Sequence, residues 1–171
     1  VHALGTAGTG GFGIKADSIA SYSHFCQWVI TVFMLLFGVS FNMYYLLLIK
    51  RWREVLKSNE LKCYLGISLA AMIIIVLSIM PLYGSIADAV RLSAFQVSSI
   101  VTTTGYATAD FDAWPSLPKA VLLILMFFGG CMGSTAGGLK MSRVTVLAQI
   151  ARNDLRHALR PREVSTVILN G

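Results

Sequence analysis

Residues 29–49 (VITVFMLLFGVSFNMYYLLLI) carry no formal charge over 21 positions, and no other feature constrains the fold as much. A run of that length is what an α-helix needs to cross a hydrocarbon core of ~30 Å. Two more uncharged runs follow: residues 63–80, closed by Pro81, and residues 120–139, which hold five glycines. Three membrane passes is the economical expectation, the third of them interrupted. Composition agrees, with 56% hydrophobic and 13% charged residues, where soluble domains average roughly 25% charged. A soluble globular enzyme is disfavoured.

The net charge of +6 would by itself suggest nucleic-acid binding, but the positions of the charges point elsewhere. Residues 50–62 hold five basic and two acidic side chains, and residues 140–171 hold six and two; the rest of the chain holds three basic (Lys15, Arg91, Lys119) and four acidic (Asp17, Asp88, Asp110, Asp112). The two basic segments thus sum to +7 and the remainder to −1. The positive-inside rule places both basic segments, residues 50–62 and 140–171, on the cytoplasmic side. Nucleic acid is then not needed as a partner; the lipid bilayer is.

Along the chain, a glycine-rich loop and a polar outer stretch lead into a long helix expected over residues 25–49. A second helix is expected to end near Pro81. Residues 84–100 are too short and too polar to span, so they read as a re-entrant helix followed by a glycine-containing loop. Irregular backbone at membrane depth survives only where it is buried in protein or lines a water-filled path. An internal echo supports that reading. Thr9-Gly10-Gly11-Phe12-Gly13 and Thr103-Thr104-Gly105-Tyr106-Ala107 share a threonine, small or polar residue, glycine, aromatic, small pattern at a spacing of 94 residues. Each is followed by an acidic, polar stretch and an apolar helix, as expected of a repeated unit.

Such loops suit the passage of a cation, which must exchange its hydration shell for protein oxygens. A threonine-glycine-aromatic loop aims carbonyls and a hydroxyl into a pore. The candidate filter residues are Thr9, Gly10, Gly11 and Phe12 in one loop and Thr103, Thr104, Gly105 and Tyr106 in the other. The re-entrant helix turns the negative end of its dipole toward the membrane centre, and Asp110 and Asp112 would concentrate cations at the outer mouth. Residues 117–150 would run ~51 Å as one straight helix, well beyond the bilayer core, so this segment must break, tilt or project.

TAGTGGFG (6–13), TTTGYATADF (102–111) and above all GGCMGSTAGGLKMSR (129–143) resemble the TrkH, TrkG and KtrB pore subunits of microbial potassium uptake systems. The resemblance implies an all-α integral membrane fold of helix, re-entrant pore helix, filter loop and helix repeats, four of which surround one pore. About one and a half units are expected here. Residues 1–50 give the filter loop and inner helix of the second unit, 51–62 a cytoplasmic basic loop, 63–150 the complete third unit with a broken final helix, and 151–171 a cytoplasmic segment.

By resemblance, Gly11 and Gly105 are filter glycines, and K+ is the transported substrate, held at filter carbonyls only. Gly129, Gly130, Gly133, Ser134, Thr135, Gly137, Gly138 and Lys140 form an intramembrane gating loop. The further implied features are a cytoplasmic (inner) membrane location, a homodimer of pore subunits, the remaining pore units, and a cytosolic nucleotide-binding regulatory subunit. No catalytic residue and no catalytic or covalent cofactor is expected.

The competing motifs are weaker. Residues 8–13 match G-x-G-x-x-G literally, but no strand precedes them, and Phe33 stands where a dinucleotide site needs an acid. The three uncharged runs contain no Asp, Glu or His for a membrane-embedded enzyme. A non-transporting helical scaffold or assembly subunit shares the hydropathy but has no need of repeated loops. Cys26, Cys63 and Cys131 are expected as buried free thiols, and Lys140 is as compatible with snorkelling as with gating.

Overall fold

A computed structural model describes the backbone to Leu159 and side chains to Asp154. Most of the expected segment 151–171, including His157 and much of the basic tail, lies outside the described side chains. The described chain is all helical, with one isolated parallel bridge between Phe128 and Leu139. Its helices are α1 (His2–Ala7), α2 (His24–Phe37), α3 (Phe41–Leu48), α4 (Trp52–Lys57), α5 (Asn59–Tyr83), α6 (Ile86–Val101), α7 (Ser116–Leu125) and α8 (Met141–Leu159).

The re-entrant segment is the centre of the fold. Helix α6 is buried on every side from Leu92 through Ser99, packed by α2, α5 and α7. Its small residues Ala89, Ser93, Ala94, Ser98 and Ser99 allow that close approach, as in membrane helix packing generally. Their hydroxyls cost little where they bond back one turn: Ser98 Oγ donates to the Ala94 carbonyl at 2.6 Å and Thr102 Oγ1 to the Ser98 carbonyl at 2.6 Å.

Helix α5 is the one unbroken helix among the described residues that is long and apolar enough to cross a membrane. Ser58 caps its start, accepting from the Leu61 N–H at 3.4 Å. One stripe (Tyr64, Ser68, Ala71, Ile75, Ile79) is buried, while Leu65, Leu69, Ile73 and Leu77 are 48–68% exposed at four-residue spacing. A continuous exposed leucine-isoleucine ridge would cost ~25 cal/mol per Å² in water and nothing against lipid or further apolar helices.

Helix α5 ends at Tyr83, near Pro81 as expected, where left-handed Gly84 (φ 63°) closes it; a proline in the final turn forfeits only one hydrogen bond. One expected boundary is corrected. The long helix expected over residues 25–49 is two helices, α2 and α3, meeting at 89°. The thiols are corrected as well, since only Cys131 is fully buried while Cys26 and Cys63 are half-buried.

The carbonyls freed at the α2–α3 break find protein donors. The carbonyl of Leu35 accepts from Tyr64 Oη (3.1 Å), that of Leu36 from Tyr44 Oη (2.6 Å), that of Phe37 from Thr135 Oγ1 (3.3 Å) and that of Gly38 from the Cys131 N–H (2.8 Å). The Phe41 N–H in turn donates to the Gly133 carbonyl at 3.1 Å. A helix end at membrane depth is tolerable because the four carbonyls from Leu35 to Gly38 each find a protein donor. The third uncharged segment also breaks, between Leu125 and Met141.

Candidate functional site

Helix α6 ends at Thr102, and the loop beyond it is held from behind. The Thr104 N–H donates to the Ser99 carbonyl at 2.8 Å, Thr102 and Thr104 share a hydroxyl–hydroxyl bond of 2.7 Å, and Ser99 Oγ donates to the Tyr106 carbonyl at 2.6 Å. The loop of residues 9–12 abuts it. A Cβ on Gly11 would collide with the Thr104 carbonyl oxygen, and Tyr106 Oη donates to the Phe12 carbonyl at 3.1 Å across the repeat spacing of 94 residues.

The two loops also share their backbone. Positive φ occurs at Thr9 (48°) and Gly11 (66°) in one, and at Thr103 (56°) and Gly105 (86°) in the other. The equivalence of the two motifs therefore extends to conformation, with left-handed residues at the same two repeat positions. Alternation of left- and right-handed residues is a backbone pattern that lets consecutive peptide dipoles point the same way, where a strand alternates them. A β-branched residue at positive φ is an outlier, costing about 1–3 kcal/mol and characteristic of functional sites.

The carbonyls divide at the same point in both loops. Among the described residues, those of Thr9, Gly10, Gly11, Thr103, Thr104 and Gly105 accept no hydrogen bond from protein, whereas those of Phe12 and Tyr106 do. The two aromatics differ in setting: Tyr106 is buried at 1% exposure and Phe12 stands 76% exposed. Both nonetheless occupy the anchored end of the expected filter rather than its open acceptors. Above the loops, Asp17 and Asp110 line one shallow pocket with Ser18 and Thr108, while Asp112 lies in the short 3₁₀ turn that follows. In the first turn of α6, a hydrogen bond from Arg91 holds the Asp88 carboxyl below the usual carboxylate range, and Arg91 also binds Gln27, which donates to the Tyr22 carbonyl at 3.1 Å.

Directly against the two loops lies the segment 126–140. Its neck is closed by backbone bonds from Gly129 N–H to the Leu139 carbonyl (2.8 Å), Leu139 N–H to Phe127 (3.3 Å) and Met141 N–H to Gly130 (3.2 Å). Gly129 passes so close to the Gly137 carbonyl that a Cβ could not be accommodated. The enclosed residues touch both strained threonines: Thr9 Oγ1 donates to the Thr135 carbonyl at 2.9 Å, and the Gly137 N–H donates to Thr103 Oγ1 at 2.7 Å. Ser134 Oγ turns inward to the Cys131 carbonyl at 2.7 Å, and Lys140 Nζ donates to the Ala136 carbonyl. Lys140 is therefore a strut within this loop.

Sequence reasoning passed over Glu60. It opens α5, yet its side chain is buried and its Oε1 accepts from the N–H groups of Met132 (2.6 Å) and Ser142 (3.2 Å). The sequence signal was slight, an acid in an otherwise basic loop. Pattern reading also missed Ser99, whose role depends on a loop seven residues away.

The family model described as TrkH, cation transport protein, matches residues 1–171. The Trk system potassium uptake protein TrkG of Escherichia coli (strain K12) is 29% identical over 177 residues, covering 99% of this chain and 36% of that protein. The Trk system potassium uptake protein TrkH of Salmonella typhimurium is 30% identical, covering 98% of this chain and 36% of that protein. The crystal structure of the potassium transporter TrkH from Vibrio parahaemolyticus matches with a TM-score of 0.91 at 29% identity, over 99% of this chain and 38% of that one. The chain spans a little over a third of the length of these relatives.

Proposed function

The chain belongs to the TrkH family of cation transport proteins, and from that premise we propose that it supplies part of the path by which K+ crosses the cytoplasmic membrane. The observation that carries this reading is the row of six unpartnered carbonyls in two abutting loops of equivalent conformation. Oxygens so placed replace the water shell of a permeating cation, and no bond is made or broken. The relatives are named as potassium uptake proteins, which makes potassium the proposed cargo.

In this reading the carbonyls of Thr9, Gly10, Gly11, Thr103, Thr104 and Gly105 face the ion, while the bond from Tyr106 Oη to the Phe12 carbonyl ties the two loops together at the filter's anchored end. The loop containing Gly129, Gly130, Gly133, Ser134, Thr135, Gly137, Gly138 and Lys140 is the gate, coupled to the filter through Thr9 and Thr103. Residues 50–62 and 140–171 face the cytoplasm. The remaining pore units complete the path, in a homodimer governed by a cytosolic nucleotide-binding subunit. A scaffold without transport would have no use for strained threonines or for carbonyls left without partners.

The test is rubidium or potassium uptake by the complete protein in cells that lack other uptake systems, with Gly105→Ser as the variant. Altered uptake or selectivity is expected. Unchanged uptake and selectivity in a folded variant would overturn the filter assignment.

A further inference from the structure

We propose that Glu60 is a positioning residue that clamps the 126–140 loop in its closed arrangement; the proposal rests on the gating reading above. The loop has tethers of three kinds. The hydroxyls of Thr9 and Thr103 hold it at Thr135 and Gly137, and the α2–α3 break holds residues 131–135. The third tether is the Glu60 carboxylate, which reaches it from a separate membrane helix.

The geometry of that third tether is specific. A single oxygen accepts from Met132, at the entry to the loop tip, and from Ser142, in the first turn of α8. It thus ties the two sides of the neck to the inner end of α5. The other amides that open α8 are provided for locally: Met141 N–H donates to the Gly130 carbonyl, and those of Arg143 and Val144 to the Lys140 carbonyl. Ser142 is the one left for an outside acceptor. A carboxylate suits that position, since charge-assisted bonds to backbone N–H are roughly twice as strong as neutral ones and a helix N-terminus favours negative charge.

Removal of the carboxylate leaves two amides without an acceptor and reduces the neck's tie to α5 to apolar packing of Cys131 and Met141, while the bonds to Thr9 and Thr103 remain. The consequence is a looser loop beneath an intact filter. Cation flux should rise without a change in which cation passes.

The experiment uses the complete protein with Glu60→Ala, Glu60→Asp and Glu60→Gln. Hydrogen exchange is read at Met132 and Ser142 in detergent, and rubidium and sodium uptake in cells lacking the regulatory subunit. Glu60→Ala should speed exchange at both amides about tenfold or more and raise rubidium uptake severalfold, with an unchanged rubidium-to-sodium ratio. Glu60→Gln keeps an oxygen acceptor at the same reach and should restore both readouts toward the parent; Glu60→Asp, one methylene shorter, should fall between.

Unchanged exchange in Glu60→Ala, uptake equal to or below the parent, or a Gln variant as loose as the Ala variant would each overturn the clamp. A loop-shortened protein separates the causes. If shortening raises uptake and Glu60→Ala does not, the clamp fails and the gate stands; if neither raises it, the gating reading fails.

Discussion

The two glycines of the proposed filter, Gly11 and Gly105, are required for different reasons, and alanine substitution separates them. At Gly105 a Cβ would meet nothing within 4 Å, so only the φ of 86° opposes it. A left-handed conformation costs an L-residue roughly 1–2 kcal/mol, and replacement of glycine returns about 0.4–1 kcal/mol by restricting the unfolded chain. The net loss for Gly105→Ala is therefore about 0–1.6 kcal/mol. Gly11→Ala pays the same backbone term at φ 66°, and its Cβ also falls inside the 3.0 Å limit of the Thr104 carbonyl oxygen. Backbone cannot rotate away as a side chain does, so an overpacking cost of roughly 1–3 kcal/mol is added. The expected loss is about 1–4.6 kcal/mol, centred well above that of Gly105→Ala.

The assay is thermal unfolding of the complete protein in detergent, paired with rubidium and sodium uptake at matched expression. Gly11→Ala should lower the apparent midpoint at least twice as far as Gly105→Ala. Gly105→Ala should alter the rubidium-to-sodium ratio despite its small cost in stability, because it changes the setting of an open carbonyl. Equal losses at the two positions, or a neutral Gly11→Ala, would refute the packing argument. An unaltered ratio in Gly105→Ala would refute the role assigned to that carbonyl.

Tyr106→Phe deletes the hydroxyl that donates to the Phe12 carbonyl and should cost about 0.5–1.5 kcal/mol. Cation discrimination, measured as the rubidium-to-sodium uptake ratio, should fall as the two loops lose their cross-link. Lys140→Met keeps the stem but removes the donor to the Ala136 carbonyl, so uptake should rise at constant selectivity; unchanged uptake would return Lys140 to a snorkelling role.

The parts of this molecule that were legible in the sequence are those written in local pattern. Uncharged runs located α5, and polarity amid apolar neighbours marked residues 84–100 as re-entrant, close to the observed α6. The 94-residue echo anticipated equivalent loops, though not the left-handed Thr9 and Thr103, since a β-branched residue is an outlier at positive φ. The glycines at 129–138 announced a break but not its beginning at Met126, where the residues are still apolar. The α2–α3 bend was invisible for a clearer reason. Residues 29–49 read as one amphiphile-free helix, and the groups that satisfy the bend, Tyr64, Thr135 and Cys131, lie far along the chain.

That distribution of partners has a mechanical consequence. The bend at Gly38–Ser40, the loop at 126–140 and the threonines Thr9 and Thr103 are each irregular, and each is satisfied largely by another of the three. At membrane depth an unsatisfied backbone group costs several kcal/mol, so none of the three can rearrange alone without stranding groups on the others. Displacement of the loop must either carry the threonine hydroxyls to new partners or admit water to replace them. In the gating reading proposed above, the second outcome is the one a cation path requires: withdrawal of the loop would leave acceptors and donors lining a space for water and the ion.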